Sequence, residues 1–108
     1  MEAKIQELIG KKLIGIHANY CNSGVIYFHT EDNHCYSLQL NGCYQKVKYP
    51  NFNGIFNQEI TFAIISDTSK RKYDYMYIEL CTKDKNYSMV YRFFKDNTND
   101  NYKFIKIK

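Results

Sequence analysis

At 108 residues the chain has the length of one domain, and its 44% hydrophobic and 24% charged residues exclude a disordered polymer. No apolar run is long enough for a membrane-spanning helix, which argues against a membrane partner. The net charge of +4, carried mostly after residue 50, suits an anionic partner but falls short of the basic stripe of a dedicated duplex binder.

The opening stretch, residues 2–9, reads as a short helix. Ile5, Leu8 and Ile9 share a face, acids stand early, and Gly10 can take the left-handed position that ends a helix. From residue 13 the period changes to two. Strands are predicted over 13–20, 24–30, 35–41, 58–66, 75–82, 87–94 and 102–107, with an eighth over 43–49, because β-branched and aromatic residues alternate there between polar turns. In the first of these, Ile14, Ile16, Ala18 and Tyr20 fall on one side and Leu13, Gly15, His17 and Asn19 on the other. Loops are predicted over 49–57, around Pro50, and over 67–72 and 96–101. The pattern specifies a mostly β single domain, 1–108: a short N-terminal helix on an antiparallel β-sandwich or small barrel of seven or eight strands.

Two hairpins can be taken to register. Glu31-Asp32-Asn33, with Asn33 left-handed, pairs Thr30 with His34, Phe28 with Tyr36 and Ile26 with Leu38; an even loop would set Phe28 against Ser37. A four-residue loop at 83–86 pairs Leu80 with Met89, Ile78 with Tyr91 and Met76 with Phe93 on a core face. On the reverse face it sets Tyr77 against Arg92, Tyr75 against Phe94 and Glu79 against Val90.

That reverse face is the most specific candidate site. Tyr75, Tyr77, Arg92 and Phe94 make an aromatic patch with a guanidinium in it, suited to gripping a phosphate or stacking a base. The alternative is that the N-terminal helix or a second sheet covers it, with Arg92 paired to Glu79. Ser69-Lys70-Arg71-Lys72 is the one tight cationic run, and Tyr73 follows it, so Lys70, Arg71, Lys72 and Tyr73 form a second candidate. Lys103, Lys106 and Lys108 read as lysines guarding a sheet edge. An A/T-rich genome would enrich Lys, Asn, Tyr, Ile and Phe together, and these five make up half the chain, so aromatic content alone is weak evidence for a surface.

Catalytic signals are missing. There is no G-x-S-x-G, P-loop, H-E-x-x-H or G-x-G-x-x-G, and the aspartates stand in or beside predicted turns. His17, His29 and His34 are not expected to assemble. Cys21, Cys35, Cys43 and Cys81 lack zinc spacing and, with no export pattern at the N-terminus, are expected to be reduced in a cytoplasmic protein; Cys81 is expected to be buried beside Leu80. Neither a metal nor a cofactor is expected.

Leu8-Ile9-Gly10-Lys11-Lys12-Leu13-Ile14-Gly15-Ile16 resembles the opening "L-I-G-K-x-I" segment of a family of small uncharacterised phage and bacterial proteins. That family carries a Gly-Asp-Cys-Cys-Ser motif after its third strand. Leu40-Asn41-Gly42-Cys43-Tyr44-Gln45 stands at that place here and shares one glycine and one cysteine with it. The resemblance spans residues 8–45 and implies a phage or mobile-element setting rather than an activity. The expected function is therefore a non-catalytic binding or inhibitory protein, in its concrete form a phage-encoded accessory or counter-defence factor. Its partner would be a host protein or a small anionic nucleotide. A single-stranded nucleic-acid module is the alternative, a hydrolase with scattered His and Asp residues a third class, and the oligomeric state, a homodimer included, is left open.

Overall fold

The computed structural model describes residues 2–19, 24–41, 43–48, 51–94 and 102–108, without the side chains of 18, 19, 43–46 and 70. The expectations for Tyr20, Cys21, Asn22, Ser23, Gly42, Tyr49, Pro50 and the loop 96–101 lie outside the described residues.

Among the described residues eight strands form: β1 Leu13–Asn19, β2 Val25–Thr30, β3 Cys35–Leu40, β4 Cys43–Lys48, β5 Phe62–Lys70, β6 Tyr73–Cys81, β7 Asn86–Phe94 and β8 Tyr102–Lys106. They make two four-stranded antiparallel sheets, ordered β1-β2-β3-β8 and β4-β7-β6-β5, in a sandwich-like arrangement. Both inner faces feed one core. Ile26, Phe28, Tyr36, Leu38 and Phe104 come from the first sheet, and Ala63, Met76, Ile78, Leu80, Met89, Tyr91 and Phe93 from the second.

The predicted helix over 2–9 is a single 3₁₀ turn, Ile5–Leu8. Glu2 instead bridges Ile105, and the Ala3 N–H donates to the Phe104 carbonyl at 2.9 Å, so the edge of β8 takes the hydrogen bonds that a first helical turn would need. In a 3₁₀ turn residues i and i+3 eclipse, which buries Ile5 and Leu8 together and turns Ile9 outward. Gly10 is left-handed, at φ 87°, as its place after the turn predicts.

β1 departs from strict alternation. A bulge between Leu13 and Gly15 sets Leu13 against Thr30 and Gly15 against His29. The extra residue brings Leu13 and Ile16 to the same side and turns Ile14 out, 56% exposed, against the predicted faces. The first hairpin has the predicted register, Phe28 with Tyr36 and Ile26 with Leu38, closed by the Thr30 N–H on the His34 carbonyl at 3.0 Å with Asn33 at φ 69°. Within the long connection, Asn51 Oδ1 caps a 3₁₀ turn, Phe52–Gly54, by accepting from the Asn53 N–H at 3.0 Å, while Phe52 and Ile55 are buried.

Candidate binding face

Two corrections to register decide the site. The β6–β7 ladder runs Leu80–Tyr87, Ile78–Met89 and Met76–Tyr91, two residues from the predicted pairing. It closes more tightly, with the Thr82 N–H on the Lys85 carbonyl at 2.9 Å, so Lys83-Asp84 makes the turn. A shift of two leaves every side chain on its predicted face, so the core was right and the pairs were wrong. On the outer face, Arg92 opposes Tyr75 rather than Tyr77, Phe94 opposes Tyr73 rather than Tyr75, and Val90 opposes Tyr77 rather than Glu79.

The second correction concerns the predicted loop 67–72. β5 continues to Lys70 and pairs through Ser66–Tyr77, Thr68–Tyr75 and Lys70–Tyr73, leaving Arg71 and Lys72 as the turn, with Arg71 left-handed at φ 56°. Asp67 and Asp74 are strand residues, not turn residues, and Ser69 Oγ donates to Asp74 Oδ1 at 2.5 Å.

Together these shifts merge the two candidate sites. Alternate residues of β6 carry Tyr73, Tyr75 and Tyr77 on the outer face. The Arg92 guanidinium lies over the Tyr73 ring, 4.3 Å from its centroid. Phe94 packs on the same ring at 5.5 Å, and Lys72 Nζ reaches within 5.6 Å of it from the turn. Glu79 lies two rows along the sheet from Arg92, opposite Ser88, where Asn86 Nδ2 approaches its carboxylate at 3.5 Å. The N-terminal turn sends Ile5 and Leu8 into the core rather than over this face. Tyr73, Tyr75, Tyr77 and Arg92 are half-buried and Phe94 is 42% exposed, so the face is accessible to solvent. Arg71 and Lys72 are exposed at its end.

Elsewhere, two of the three histidines meet, while His34 lies apart, with its Nδ1 3.0 Å from the Lys108 carbonyl oxygen. The His17 and His29 rings meet edge to face at 5.1 Å on the outer side of the first sheet, over Gly15, which stands opposite His29 and adds no side chain between them. A glycine between two outward histidines was the available signal. Among the described residues no group of three or more His, Cys, Asp or Glu is placed to hold a metal ion. Cys35 and Cys81 are free thiols, and burial pushes the pKa of both up. Cys81 is half-buried opposite Phe62 rather than in the core. A groove of about 460 Å³ runs along the N-terminal segment, with buried Phe104 as its floor and exposed Glu2, Lys4 and Glu7 along its sides. It includes none of the predicted site residues.

Lys106 Nζ stands 6.0 Å from the centroid of Tyr36, so this edge lysine covers a core ring as well as its strand. No helix among the described residues is long and apolar enough to cross a membrane. Comparison with protein-family models, with curated proteins and with solved structures finds no match.

Proposed function

We propose that this is a non-catalytic binding protein that holds an anionic partner on the outer face of the β4-β7-β6-β5 sheet. The observation that carries this reading is the stack of Arg92 on Tyr73, joined by Phe94 and Lys72, in which two residues of one candidate site meet two of the other. A guanidinium held against a ring keeps its charge at the surface while giving up side-chain freedom before the partner arrives, which lowers the entropy cost of binding. The residues assigned to contact are Lys70, Arg71, Lys72, Tyr73, Tyr75, Tyr77, Arg92 and Phe94. A host protein, a small anionic nucleotide and a single-stranded nucleic acid all present the negative charge this face would meet. The family resemblance supports a phage-encoded accessory or counter-defence role in the cytoplasm, and the want of catalytic motifs supports binding over a hydrolase.

Capture from host lysate, with and without nuclease, tests the reading. Arg92→Ala and Tyr77→Ala should each retain the fold, with stability changed by less than about 1 kcal/mol. Each should weaken capture at least tenfold. Undiminished capture by a stably folded Arg92→Ala protein would remove this face from the function.

A further inference from the structure

Resting on that reading of the face, we infer that its occupant is single-stranded nucleic acid, with bases stacked on Phe94, Tyr75 and Tyr77 and phosphates held by Arg92 and Lys72. Four features of the surface carry this.

The first is spacing. Phe94 shares a row with Tyr73, and Tyr75 and Tyr77 mark the next two rows along the sheet. Rows two residues apart are separated by about 6.7 Å. Neighbouring bases in a stacked strand are about 3.4 Å apart, so a strand that places a ring after every base advances about 6.8 Å per nucleotide. Three rows therefore match three successive nucleotides. Every base has a π-face, so such a ladder is indifferent to sequence.

The second is a division of labour among the rings. Tyr73 carries the Arg92 guanidinium at 4.3 Å and Lys72 Nζ at 5.6 Å, which makes it a pedestal that fixes two cations. Phe94, the most exposed ring of the group, and half-buried Tyr75 and Tyr77 present the stacking surface.

The third is the sorting of charge. Asp67 and Asp74 pair with Met76 and Ser69, on the side of the sheet opposite the tyrosines. The acid on the tyrosine side of β6 is Glu79, at the far end from the cationic turn. Lys48 pairs with Val90 beside Tyr77 and extends the basic character along the path. A polyanion running from the 70–72 turn toward Lys48 thus meets cations at both ends and rings between.

The fourth is shape. The rings stand on consecutive rows of two adjacent sheet strands, an extended platform for an unpaired strand with its bases turned down onto the protein. A duplex keeps its base faces stacked and out of reach of such rings.

The test is fluorescence anisotropy of the full chain with labelled oligothymidine and oligouridine of about ten nucleotides, and with a duplex of the same length, across a salt series. One or both single strands should bind, more tightly than the duplex. Phe94→Ala and Tyr77→Ala should each weaken binding about tenfold or more with little change in salt slope. Lys72→Ala should weaken it and lower the salt slope by about one. Thermal melts of the variants separate lost binding from lost fold, and Phe94→Tyr, which keeps a ring, should restore affinity. Absence of binding at 50 mM salt, a preference for duplex, or affinity untouched by the ring variants would overturn the inference. Nuclease-resistant capture of a host protein, lost in the Arg92→Ala variant and unaccompanied by oligonucleotide binding, would also overturn it while leaving the docking face in place.

Discussion

Asp32 and Asp67 are two carboxylates whose surroundings push them in opposite directions. Asp32, at the tip of the first hairpin, accepts from Lys11 Nζ at 2.5 Å and from the Thr30 hydroxyl, with His34 Nε2 at 3.8 Å. These donors, Lys11 first and Thr30 next, hold its pKa down at about 2 against an ordinary 3.8. A depressed carboxylate stabilises the fold above the unfolded-state value, and the contribution is lost as pH falls through the folded-state value. Asp32→Asn should therefore lower the melting temperature at pH 7, and the gap between variant and parent should close between pH 4 and 2. Asp67 is raised, first by partial desolvation and then by the Asp74 carboxylate. Its charge opposes folding once pH exceeds the ordinary carboxylate range, so Asp67→Asn should raise the melting temperature at pH 7 and leave it unchanged near pH 3. Equal shifts at both pH values would assign either effect to packing instead of charge.

At the scale of elements, what the sequence made legible was the face of each strand more than its partner. Alternation has a period of two, so it fixes which side Met76, Ile78, Leu80, Met89 and Tyr91 occupy but is blind to a slip of two residues. The first hairpin was solvable because Asn33 gave a residue suited to φ 69° at one place, and parity did the rest. Lys83-Asp84-Lys85-Asn86 offers no such marker, so the tighter turn, and with it the Tyr73–Phe94 contact, was not readable. The bulge at Leu13/Gly15 and the 3₁₀ turn at Ile5–Leu8 escaped for a related reason. Both depend on partners distant in sequence, His29 for the one and Phe104 for the other. Gly54 shows local sequence meeting a distant partner. A Cβ built there would lie 2.7 Å from the Tyr87 hydroxyl oxygen, and Tyr87 is buried with its ring stacked 6.0 Å from Phe52. Gly54→Ala should cost about 1–3 kcal/mol in denaturant unfolding. Removing the oxygen with Tyr87→Phe should relieve most of that, so the double variant should lose less than the singles combined.

For the whole molecule, the decisive feature is that the first sheet is not continuous in sequence. The first sheet is begun by β1–β3 and completed by β8, after the chain has built the second, and residues 2 and 3 then pair with β8. The candidate face depends on this arrangement, because the outer side of β6–β7 presents its rings only while the inner side is sealed against Ile26, Phe28 and Leu38. A core shared in this way should make unfolding a single event. Ile26→Ala in the first sheet and Ile78→Ala in the second each empty a fully buried position, and each should cost about 2–5 kcal/mol. The stronger expectation is that far-ultraviolet circular dichroism and tyrosine fluorescence give coincident unfolding curves in both variants, because no sheet can keep its structure once its partner's half of the core is gone. The non-local pairing also places folding in the slow range of β-sandwiches, milliseconds to seconds, since β3 must wait for β8 before its edge is closed. If the circular dichroism and tyrosine curves of Ile26→Ala instead separated into two transitions, the two halves would be separable. The proposed binding face should then survive loss of the first sheet, whereas a shared core requires the proposed binding to disappear in the same transition as the circular dichroism signal.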